Sequence, residues 1–166
     1  KAAAGLFADA CFDWIYVDGI HTNDGLLADL ADYHAKVKPD GLILGHDYAN
    51  HPAADRMNFG VVSAVHQFIR EQKWHMLALT IEAWPTYVLA RDLQSAAARL
   101  LKMKLIYNIP RIVELRDYPW GAYRQELYAF DKRVASVMTF AAQEACASKT
   151  DKKANPLVSQ GPEQKI

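Results

Sequence analysis

Two apolar runs, each closed by an aspartate, leave this chain few ways to fold. They are Phe12-Asp13-Trp14-Ile15-Tyr16-Val17-Asp18-Gly19 and Gly41-Leu42-Ile43-Leu44-Gly45-His46-Asp47-Tyr48, separated by a segment of helix length. Trp14–Val17 and Leu42–Leu44 are continuous rather than alternating, the pattern of strands covered on both faces in a parallel sheet under helices. Parallel strands need a crossover, and crossovers are almost always right-handed. Both strands therefore run the same way, and Asp18 and Asp47 emerge together at their carboxyl ends. That edge is where open α/β sheets bind ligands.

The rest of the chain follows from local signals. Thr22 or Asn23 can cap a helix whose Leu26, Leu27, Leu30, Tyr33 and Val37 form one buried face, with Asp24 at its positive end. Lys38-Pro39-Asp40-Gly41 reads as a tight turn into the second strand. Residues 48–58 are polar and read as a loop over the ligand edge, with Tyr48 and His51 as candidate substrate contacts. Phe59-Gly60 opens a helix carrying Val61, Val62, Val65, Phe68 and Ile69. Trp74–Thr80 and Thr86–Arg91 are joined too briefly to be parallel and form an antiparallel hairpin at the end of the sheet.

Beyond Asp92 the chain reads as helical. Residues 94–104 are rich in Ala and Leu, and Leu127, Phe130, Val134, Val137 and Ala141 repeat at spacings of 3 and 4. A helix over 123–147 is expected from them, packing on its own domain or forming a homodimer. Residues 148–166 read as a disordered tail. The expected organisation is a sheet domain over 1–91, a helical extension over 92–147 and the tail.

Composition narrows the partners. Lys+Arg and Asp+Glu each number 19, and no basic cluster stands out, which disfavours nucleic acid. Cys11 and Cys146 lie far apart without a CxxC, against structural zinc or a disulfide framework. Cys11 reads as a core thiol. No apolar run approaches the roughly 20 residues of a membrane span. The expectation is a cytoplasmic protein with neither membrane nor nucleic acid as partner. The first strand has one parallel partner downstream, so a missing amino-terminal part is expected to hold the other half of the sheet.

Two strand-end carboxylates suit a hard divalent cation such as Mg²⁺, so Asp18 and Asp47 are the candidate metal ligands. The alternative is that each caps backbone at the next helix start. His21 and His46 are candidate bases for activating a hydroxyl, His21 preferred because it lies three residues after Asp18 on the same loop. Either can instead make a structural hydrogen bond.

Phe12–His21, Asp29-Leu30, Lys38–Tyr48 and Gly60–Val65, in this order, resemble the carboxyl-terminal half of a class I S-adenosylmethionine-dependent methyltransferase. They are most similar to the group with metal-dependent O-methyltransferases of sugars and natural products. The resemblance covers about 12–91. It implies a Rossmann-like α/β sheet whose fourth to seventh strands are present, S-adenosylmethionine as cofactor and a small hydroxylated acceptor. The family's glycine-rich cofactor loop and ribose-binding acid have no counterpart here, so no cofactor-binding residue is assigned and this chain alone is expected to be inactive. Where relatives often carry a further acid before the second aspartate, this chain has His46, a softer ligand. The competing expectation is a truncated or degenerate module that binds a protein through its 123–147 helix. A P-loop nucleotidase lacks its G-x-x-x-x-G-K-[ST].

Overall fold

The computed structural model describes residues 3–115, 118, 121–131 and 133–140. The expected tail over 148–166, Cys146 and the end of the expected helix, 141–147, lie outside the described residues. β1 (Phe12–Val17) leads through α1 (Asn23–Tyr33) into β2 (Val37–Gly45). Then come α2 (Pro52–Arg56), α3 (Val61–Gln72), β3 (His75–Thr80), β4 (Tyr87–Ala90), α4 (Ala96–Leu101) and β5 (Ile112–Glu114). β6 (Tyr123–Phe130) and β7 (Arg133–Phe140) form a separate two-stranded sheet.

The main sheet is mixed, in the order β1-β2-β4-β3-β5. β1 and β2 are parallel, with Ile15 opposite Ile43 and Val17 opposite Gly45, as the two apolar runs require. β4 inserts antiparallel between β2 and β3, and β5 adds an antiparallel edge not expected from the sequence. Thr22 caps α1, its Oγ1 accepting from the Gly25 N–H, and Leu26 and Leu30 are buried beneath it. α1 and α3 lie on one face of the sheet over a cluster that includes Leu30, Ile43, Val65, Phe68, Leu79 and Leu89. α4 covers the other face through Ala98, over Leu42, Leu77 and Val88.

Four expectations need correction. The helix over 123–147 is instead a hairpin over 123–140, paired from Tyr123↔Phe140 to Phe130↔Arg133. Alternation wins over the 3-and-4 spacing. Tyr123 and Gln125 are buried and Leu127 half-buried, while Arg124 and Glu126 point out. Asp131, at φ 51°, turns the chain in a conformation that Asp tolerates. A homodimer seam built on a helix loses its basis over these residues. The second correction is the turn at 38–41, which already belongs to β2; Pro39 sits where the register slips between Phe12 and Trp14, a bulge that accommodates its missing donor.

Third, β1 is not covered on both faces. Ile15 and Val17 pack on the core, but Trp14 is 61% and Tyr16 47% exposed, and among the described residues nothing pairs with the outer edge of β1. Fourth, Cys11 is exposed, because the chain reaches the sheet only at Phe12. Among the described residues no helix is long and apolar enough to cross a membrane.

Candidate functional site

β1 and β2 end level with each other, and the ladder continues one step further, the His46 N–H donating to Val17 O at 3.2 Å. Asp18 and Asp47 therefore leave adjacent strands at the same height. Asp47 has φ 61°, a left-handed turn that swings its carboxylate back over the strand ends, and its side chain is only 11% exposed. Asp18, at 49%, faces solvent.

His21 stands between them. Its Nε2 is 3.1 Å from Asp18 Oδ1 and 3.1 Å from Asp47 Oδ2. The loop that carries it is tied to α3, since the Gly60 N–H donates to His21 O at 2.8 Å, and its ring lies 4.8 Å from that of Phe59. His46 Nδ1 is 3.0 Å from Asp47 Oδ1. One ligand atom each from Asp18, His46 and Asp47 falls within 4.8 Å of the others. Two carboxylates and one imidazole make a mixed oxygen and nitrogen donor set that fits Mg²⁺, Mn²⁺ or Fe²⁺. The exposed Asp18 side leaves room for water or substrate.

Tyr48 and His51, read from the sequence as lid contacts, are placed inside the fold, Tyr48 fully buried and His51 1% exposed. Residues 48–58 are not an open loop. His51 caps α2, its Nδ1 accepting from the Ala54 N–H while Nε2 lies 3.0 Å from Ala83 O, and Pro52 starts the helix at a position that needs no donor. The Tyr48 hydroxyl meets His66 Nε2 at 2.8 Å and the Tyr118 hydroxyl, and His66 Nε2 is also 2.9 Å from Tyr118. His66, on a helix, reads from the sequence as a surface or packing residue and is buried, while Tyr118 and Tyr123 carry no local signal of their meeting with it or with Tyr48. They meet only after the sheet is assembled.

Burial raises the tyrosines at 48, 118 and 123 well above the ordinary phenol range. It lowers His66 from 6.5 to about 4, with the Arg70 charge adding to the same direction. A neutral buried histidine stabilises the fold fully above pH 6.5, and that contribution is lost as pH falls from 6.5 towards 4, because the unfolded chain takes up the proton first. The shift sets a ceiling of about 3 kcal/mol on the effect. Urea midpoints should therefore fall between pH 7 and pH 4.5, and His66→Gln should flatten that fall. An equal slope in the variant would assign the acid sensitivity to other groups.

A cavity of about 240 Å³ adjoins this region, lined by Asn50, Asp55, Phe59, Ser63, Tyr123 and Arg124 among others. Phe59 is the shared wall between it and His21. A wider depression of about 410 Å³ runs along the uncovered side of β1, past Trp14, Tyr16 and Asp18 to Asp29.

No curated protein matches this chain. Residues 1–48, a stretch that contains β1, α1, β2 and all four members of the Asp/His cluster, match a family described as a methyltransferase domain.

Proposed function

We propose that the protein takes part in methyl transfer from S-adenosylmethionine to a hydroxyl of a small molecule, with a divalent cation held by Asp18, His46 and Asp47. The observation that carries the reading is the convergence of the strand-end carboxylates around His21 Nε2, at 3.1 Å from each. Ionised carboxylates only accept, so Nε2 carries the hydrogen and Nδ1 is left as the acceptor for a hydroxyl proton. The two acids then stabilise the imidazolium that forms, the role of a carboxylate behind a catalytic histidine. A cation bound at the cluster would lower the pKa of a coordinated hydroxyl.

The chain carries no glycine-rich turn after a strand to hold the cofactor. The outer edge of β1, which has no strand partner among the described residues, supports placing the cofactor on further strands that pair there. Calorimetry tests both parts. Mn²⁺ should bind the 166-residue chain and S-adenosylmethionine should not, whereas the complete protein should bind both and methylate. A chain silent towards Mn²⁺ sinks the metal site; a complete protein that binds Mn²⁺ but neither binds nor consumes the cofactor sinks methyl transfer. A second reading, a module that binds a protein without catalysis, draws on the far end of the β6–β7 hairpin, where Phe130 and Val134 are 64% and 63% exposed. Turnover by the complete protein rules it out.

A further inference from the structure

Asp47 holds a left-handed backbone at φ 61°, which aspartate tolerates better than most residues but which still costs more than the ordinary helical or extended conformations. Its own side-chain partners do not enforce it, because His21 and His46 reach the carboxylate and not the backbone. Backbone bonds bracket the turn, His46 N–H to Val17 O before it and Ala49 N–H to Asp47 O at 2.7 Å across it, and the residue that follows Asp47 is the most heavily anchored. Tyr48 N–H donates to Pro85 O at 2.9 Å, and Tyr48 O accepts from the Tyr123 hydroxyl at 3.1 Å. The phenol of Tyr48 is held by His66 and Tyr118, and its ring lies 5.0 Å from that of Tyr123. Asn50 Nδ2 then donates to Tyr123 O at 2.9 Å, fixing the chain on the other side of Tyr48.

Two of these clamps, Tyr118 and Tyr123, come from the segment after β5, far beyond the residues that match the methyltransferase domain. We infer that Tyr123, with Tyr118, is a positioning residue for the cluster: the carboxyl-terminal segment locks Tyr48, and the locked Tyr48 sets the Asp47 turn that points its carboxylate at Asp18 and His21. Released, Tyr48 would let residue 47 relax to an ordinary backbone and carry the carboxylate away from its partner. The inference rests on the metal reading above for one of its two readouts only.

The experiment compares the full chain with Tyr123→Phe, Tyr118→Phe and Val88→Ala, the last a core truncation on the opposite face of the sheet. Free Mn²⁺ is followed by electron paramagnetic resonance, and the Asp47 Cα and Cβ chemical shifts, which report a left-handed backbone, by NMR. Tyr123→Phe and Tyr118→Phe should weaken Mn²⁺ binding about 3- to 10-fold and move the Asp47 shifts. Val88→Ala should lose thermal stability and change neither. Unmoved Asp47 shifts in Tyr123→Phe overturn the inference whether or not Mn²⁺ binds, and equal movement in Val88→Ala overturns it as a mere stability effect. If the parent chain takes no Mn²⁺ but the shifts move in the tyrosine variants alone, the positioning role stands and the metal reading falls.

Discussion

Asp47→Asn should lower turnover in the proposed methyl transfer more than about 100-fold, about 2.7 kcal/mol of transition-state stabilisation, since outer-shell partners of a metal alone are worth about 10- to 100-fold. Asparagine is the informative choice. It keeps the size of the side chain and tolerates the left-handed backbone at φ 61°, so the change isolates the charge. Asp47→Ala would mix that loss with a backbone penalty of about 1–2 kcal/mol. The carboxylate meets His21 through Oδ2 and His46 through Oδ1; asparagine keeps one acceptor oxygen and sets an NH2 against the other ring, so Mn²⁺ affinity should fall alongside turnover while thermal stability changes little. Turnover within threefold of the parent would remove Asp47 from the chemistry.

Gly60→Ala should be severely destabilising for so small a substitution. A Cβ there would stand 2.4 Å from Asn23 N and 2.8 Å from Asn23 Cα, both backbone atoms at the start of α1 that no rotamer change can move. α1 and α3 must part, at an overpacking cost of about 2–3 kcal/mol. The same shift strains the hydrogen bond from the Gly60 N–H to His21 O, so the loop bearing His21 moves too. Thermal unfolding with calorimetric enthalpy measures the first effect. A melting temperature within a degree of the parent would mean that the helices meet more loosely than 2.4 Å implies.

The part of the fold legible in the sequence is the part governed by local rules. β1, β2, the capped α1, α3 and the β3–β4 hairpin each carry their own periodicity or cap, and the meeting of Asp18 with Asp47 follows from two parallel strands and one crossover. The hairpin over 123–140 is hidden in the sequence because Leu127, Phe130, Val134 and Val137 happen to satisfy a helical repeat, and no Gly or Pro lies between Phe130 and Arg133 to announce a turn. Tyr48 looked like a surface residue because its neighbours are polar. Its burial depends on His66, Tyr118 and Tyr123, which approach it from 18, 70 and 75 residues away.

The border of β1 decides how the chain behaves in the tube. Among the described residues the outer amides of β1 have no strand partner, and with the exposed rings of Trp14 and Tyr16 beside them they form a template on which another extended segment can zip. Concentration is thus an experimental variable for this chain, and self-association, read as a dependence of sedimentation on loading, is the expected consequence of that edge. Sedimentation at several dilutions belongs beside every titration.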